Sequence, residues 1–101
     1  MKVFNMDSVK GSGREVANQF IIQHDGFRRF QSYNTPICEL DMANGKLTVF
    51  PDWNYSNTTR TYFAKFVNEQ TPFRYESKQK WIKEMQSNDD IIEDGKVGLH
   101  G

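Results

Sequence analysis

The sequence predicts an α+β fold: an antiparallel four-stranded meander with two helices packed on one face. Three observations carry that expectation. Tight-turn pairs at Asp25-Gly26 and Asn44-Gly45 separate runs in which polar and apolar residues alternate, the pattern of hairpin strands. After Ser56 the apolar period lengthens from two to about 3.6, the pattern of a helix packed by one side. Fourteen aromatic residues among 101 offset a low apolar fraction of 37%. Each can bury on the order of 150–250 Å², enough for one modest core.

Taken in order, Met1 to Met6 alternates weakly around Val3 and Phe4 and can supply an edge strand. Ser8 to Gly13 holds two glycines and two serines, so residues 1–13 are expected as a flexible N-terminal segment. That stretch lacks the spacing and the Lys-Ser/Thr of a phosphate-binding loop. Glu15 to His24 is the clearest strand, with Val16, Phe20 and Ile22 assigned to one face and Gln19, Ile21 and Gln23 to the other. A turn at Asp25-Gly26 leads into a return strand over Phe27 to Tyr33. Asn34-Thr35-Pro36 interrupts the chain before a third strand over Ile37 to Asp41. Asn44-Gly45 then reads as a two-residue hairpin turn, because both residue types tolerate positive φ. Lys46 to Phe50 is the fourth strand, and Pro51, with no N–H to donate, ends its ladder.

Asp52-Trp53-Asn54-Tyr55 sets two large aromatics in a short loop ahead of Ser56, the expected N-cap of the first helix. Tyr62, Phe63, Phe66 and Val67 form that helix's apolar face. A second helix over Ser77 to Gln86 carries Trp81, Ile82 and Met85 as its stripe, with Glu76, Lys80 and Glu84 spaced for surface pairing. Asn88 to Asp94 is a short edge strand or the start of a disordered tail. Residues 88–101 carry four acids against one base, whereas 1–87 carry twelve bases against nine acids. Solubility, folding back on a basic helix, or mimicry of nucleic-acid phosphate are the three uses of such a tail.

Asn18-Gln19-Phe20-Ile21-Ile22, Phe30-Gln31-Ser32-Tyr33 and Tyr55-Ser56 with Thr58, Thr59, Tyr62 and Phe66 form a spaced pattern over Val16 to Asn68. The pattern resembles a family of short proteins of unknown function carried by phages and integrated elements of Gram-positive bacteria. The resemblance implies no activity and no functional residues. It departs from that family at Thr71-Pro72-Phe73-Arg74-Tyr75, where a short basic helix is usual, and in the acidic tail.

Candidate chemistry is sparse. His24 beside Asp25 lacks a second carboxylate or a nucleophile at usable spacing. Two histidines and Cys38 supply no metal-ligand spacing, so neither metal nor cofactor is expected. A lone cysteine and no long apolar run predict a cytoplasmic chain outside the membrane. Asn54 and Asn57 match the glycosylation sequon by chance in that setting. Arg28 and Arg29 between Phe27 and Phe30 resemble basic–aromatic single-strand binders, although a strand sends the two arginines to opposite faces. Trp53 and Tyr55 either anchor the helix cap or form a contact surface.

The expectation is a protein that is not an enzyme. It would bind and modulate a host or defence protein, or a protein–nucleic-acid complex, with anti-CRISPR-like inhibition as one example. The partner-binding candidates are Trp53, Tyr55, Arg28, Arg29 and Arg60. The alternative is a small nucleic-acid-binding accessory protein using those arginines with Lys65, Lys78, Lys80 and Lys83.

Overall fold

A computed structural model describes residues 1–9 and 14–94. In chain order these form β1 (Lys2–Asp7), β2 (Glu15–His24), β3 (Phe27–Ser32), β4 (Thr35–Asp41), β5 (Lys46–Val49), a 3₁₀ turn (Pro51–Asn54), α1 (Asn57–Gln70), α2 (Lys78–Ser87) and β6 (Ile91–Glu93). The class is α+β, as expected, but the sheet has six strands in the order β1-β2-β3-β4-β5-β6, not four. Both additions lie at its edges. Lys2–Asp7 pairs antiparallel with β2 and sinks Met6 into the core, so the flexible N-terminal segment expected over 1–13 is ordered through its first strand. Ile91–Glu93 takes the edge-strand alternative and runs parallel to β5. A parallel neighbour requires a long crossover, and here α1 and α2 together are that crossover. The tail expected beyond Lys96 lies outside the described residues, as do residues 10–13.

Register decides which face is buried. Phe4, Ile21, Phe30, Cys38 and Val49 stand directly opposite one another across five strands, and Leu40, Leu47 and Ile91 form a second row on the same side. Those rows meet the helices. The other side carries Val3, Ile22, Arg29, Glu39, Thr48 and Ile92 and stays partly open. The face assignment for β2 therefore needs correcting, and a bulge is the reason. Asn18 sits at φ 68°, and β2 advances five residues between pairings while β1 advances two. Val16 and Ile21 consequently share the core side although their spacing is odd. A second bulge lets Ile37 and Cys38, adjacent in sequence, both be buried.

The turns differ in the same instructive way. Asp25 and Gly26 both adopt positive φ, as a two-residue hairpin demands. Asn44-Gly45 is not such a turn. Asp41 pairs with Lys46, so the connection is the four-residue loop Met42 to Gly45. It closes through Gly45 N–H to the Asp41 carbonyl at 2.8 Å, and only Gly45 is left-handed.

Helix α1 is capped by Ser56, whose Oγ accepts from Thr59 N–H at 3.1 Å, and α2 by Ser77, which accepts from Lys80 N–H at 3.2 Å. The predicted faces hold: Tyr62, Phe63, Phe66, Val67, Trp81 and Met85 are buried. Lys80 pairs with Glu76 at 2.7 Å rather than bridging on to Glu84, and its ammonium holds the Glu76 carboxyl below the usual range. Phe66 stacks on Phe30 of β3 with centroids 5.8 Å apart. Phe63 meets three rings, Trp53 at 5.5 Å, Tyr75 at 5.9 Å and Trp81 at 5.4 Å.

Replacing Phe63 with Ala should cost about 3–5 kcal/mol, because the cavity strips partners from three other rings. Denaturant melts of the two proteins measure this, and a loss below about 1 kcal/mol would show that the rings close over the gap. Burial pushes the Cys38 thiol far above its ordinary value. Thiol-reagent labelling of Cys38 should accordingly track global unfolding in urea, and fast labelling of the native protein would contradict its place in the core.

Candidate partner-binding site

A cleft of about 440 Å³ opens where the β3–β4 turn, the 3₁₀ turn and the first turn of α1 converge. Each wall has a local cause. Pro51 starts the 3₁₀ turn at its first position, and Trp53 N–H donates to the Phe50 carbonyl at 3.3 Å. Tyr55 N–H donates to the Asp52 carbonyl at 3.1 Å, which brings the chain round so that Tyr55 projects just before the Ser56 cap. Across the opening, Tyr33 is the first residue of the two-residue link between Ser32 and Thr35. Its φ of 56° is left-handed, a region that bulky side chains seldom occupy. Tyr33 N–H donates to the carbonyl of bulged Asn18 at 2.6 Å, which holds it there.

Four serine and threonine residues, Ser32, Thr35, Ser56 and Thr59, line the cleft. Ser56 Oγ donates to Thr59 Oγ1 at 3.1 Å, and Thr59 Oγ1 lies 3.4 Å from Ser32 Oγ. Tyr33 is 58% exposed and Tyr55 80% exposed, so two amphipathic rings border a polar lining. Asp52 is the charged residue of that lining. Behind Ser32, directly opposite it in the ladder, Gln19 is buried with no hydrogen-bond partner for Oε1 among the described residues.

The structure separates the sequence-derived candidates. Tyr55 stands in the cleft wall. Trp53 is not among the residues that line the cleft; half-buried, it packs on Phe63 and anchors the turn. Arg28 and Arg29 point to opposite faces of β3, as a strand requires. Arg29 meets Glu39 at 3.4 Å on the open face. Arg28 lies opposite Gln23, whose amide oxygen, once turned, accepts from its Nε and Nη2 at 3.1 Å. Arg60 donates to Asn54 Oδ1 at 2.6 Å and to Asn57 Oδ1, joining the 3₁₀ turn to α1. The two sequon asparagines are thus the anchors of one guanidinium. Lys65 pairs with Glu69 at 2.6 Å, and no lysine or arginine is among the described residues that line the cleft. His24 and Asp25 meet at 3.2 Å on an exposed hairpin. Among the described residues, no group of three or more His, Cys, Asp or Glu is placed to hold a metal ion.

Sequence reasoning passed over Tyr33, Asp52, Ser32 and Thr59 as site residues. The signal was present in the spaced pattern itself, because its pieces at 30–33 and 55–59 are the segments that meet here.

A family model covers residues 1–84, a span that includes every residue of the cleft. The chain belongs to the family of unknown function DUF8033. This agrees with the resemblance to an uncharacterised family and extends it beyond Val16 to Asn68. No curated protein and no solved structure matches the chain. No helix among the described residues is long and apolar enough to cross a membrane.

Tyr33→Gly should leave stability unchanged or raise it by up to about 1 kcal/mol, because glycine occupies left-handed φ without the side-chain penalty. The denaturant midpoint reports this, and a fall of more than about 1 kcal/mol would mean that the Tyr33 ring holds the turn in place.

Proposed function

We propose that this DUF8033 member is a non-enzymatic binding protein that docks on a protein partner through the cleft between Tyr33 and Tyr55. One observation carries the reading: two exposed tyrosine rings, 22 positions apart, flank a hydroxyl-lined opening. Exposed aromatics with a polar tip concentrate interface energy, because one ring buries much area at small entropic cost. Tyr33 supports the reading further, since a left-handed tyrosine is strain accepted at a place where glycine would sit freely. In this proposal the partner is a host or defence protein met in the cytoplasm of a bacterium. The chain then comes from a phage or integrated element, as its sequence resemblance implies, and an anti-CRISPR-like inhibitor is one form it can take.

The basic residues weigh against nucleic acid as the main partner. Arg29, Lys65 and Lys80 each have a carboxylate within 4 Å, and Arg60 is bound to two asparagines. The test is affinity capture from host lysate with wild-type, Tyr55→Ala and Arg29→Ala baits, with and without nuclease. Tyr55→Ala should weaken the captured complex by about 2 kcal/mol, roughly thirtyfold in Kd, while Arg29→Ala and nuclease leave it intact. Capture that nuclease abolishes would overturn the proposal in favour of nucleic-acid binding, whose affinity would also fall steeply with salt. Multiple turnover of any substrate would overturn both.

A further inference from the structure

We infer that the group received by the cleft is an arginine side chain of the partner, held between the Tyr33 and Tyr55 rings and against the Asp52 carboxylate. The inference rests on the protein-binding reading above and adds the chemistry of the occupant. Asp52 is the one acidic or basic side chain among the described residues that line the cleft. A phosphate, a nucleic-acid backbone or an acidic peptide would meet that carboxylate with like charge and no cation among the described lining residues to offset it. Arg60, next in sequence to the lining residue Thr59, has its guanidinium turned to Asn54 and Asn57 and is absent from the lining. A cation reverses the balance. Tyrosine faces attract a guanidinium through the ring quadrupole, and a carboxylate receives its planar fork with charge-assisted hydrogen bonds.

Arginine fits better than lysine for three reasons. Its flat group stacks on aromatic rings, it is more weakly hydrated than an ammonium, and its five N–H donors need several acceptors at once. Ser32, Thr35, Ser56 and Thr59 line the cleft together with Asp52, and hydroxyl oxygens are acceptors for such donors. The N-terminus of α1 opposes a cation, but it carries only about half an elementary charge. Ser56 Oγ already takes the Thr59 amide there, and a full carboxylate charge stands at Asp52. A cleft of about 440 Å³ accommodates the side chain with part of the peptide that bears it.

The experiment is an NMR titration of the uniformly ¹⁵N-labelled full chain. The probes are capped Gly-Arg-Gly, with the Lys, Leu and Glu analogues and inorganic phosphate as comparisons. The Arg peptide should shift the backbone amides of Tyr33, Asp52, Tyr55 and Ser56 saturably, with a Kd at least about tenfold below that of the Leu and Glu peptides. Asp52→Asn should raise that Kd about tenfold while the remaining spectrum keeps its dispersion, and added salt should weaken binding in wild type only. Equal or tighter binding of the Leu peptide, the Glu peptide or phosphate would overturn the inference, as would an Asp52→Asn chain that binds the Arg peptide like wild type. Those results leave protein docking standing. If the Arg peptide saturates the cleft but Tyr55→Ala does not weaken partner capture, the docking reading falls instead.

Discussion

Phe63 is the ring on which four segments close. It faces solvent nowhere and touches Trp53 from the 3₁₀ turn, Tyr75 from the connector between the helices, and Trp81 from α2. Edge-on contacts with Tyr75 and Trp81 suit the ring quadrupole, whose positive rim meets a negative face. One turn later in α1, Phe66 stacks on Phe30 and ties the same helix to the centre of the sheet. Among the ring contacts of the described residues, one pair ties the crossover to the strands and a cluster ties it to itself, within a core that joins both helices to the sheet. Ile37, Leu40, Leu47, Val49, Val67 and Ile91 add aliphatic side chains to the same core.

The cleft inherits its shape from that cluster. Trp53 packs on Phe63 with centroids 5.5 Å apart, which anchors the 3₁₀ turn to α1 two residues before Tyr55. Arg60 reinforces the joint by holding Asn54 and Asn57 across the junction of the turn with α1. The opposite wall depends on the sheet, because the Asn18 bulge supplies the carbonyl that receives the Tyr33 amide. Two irregularities of backbone, far apart in sequence, thus set one site. Preorganisation of this kind lowers the ordering entropy lost on binding.

Much of this fold was legible in the sequence, and the parts that were not share a physical origin. Helix faces, the Ser56 cap and the end of β5 at Pro51 follow from local rules that tertiary packing did not override, whereas Ser77, read as the first residue of the second helix, is its cap. The β2 face was misjudged because period-two reasoning assumes an unbroken pleat, and a single left-handed residue at Asn18 resets it. Asn44-Gly45 carries the right residues for a tight hairpin, yet Asp41 and Asn44 cap the loop with side-chain bonds to the Ala43 and Lys46 amides, favouring a longer turn. β6 was left open between edge strand and tail, because three residues beside a row of acids read as either until a parallel neighbour exists to receive them. The cleft was half legible: Tyr55 drew notice as a loop aromatic, whereas Tyr33 looked like the last residue of a strand. Only the meeting of two distant segments makes them a pair.

The parallel strand at the edge sets an order of assembly. Leu47 and Ile91 are neighbours in the sheet but stand 44 positions apart in the chain. Each hairpin among β1 to β5 closes through a short loop, while the β5–β6 ladder must wait until the whole crossover is laid down. Only then do the Leu47 amide and the Val49 carbonyl find their partners at Asp90 and Asp94. A chain still emerging from the ribosome would hold its meander with one flank of β5 unsealed, and the acidic segment arriving last would act as the latch.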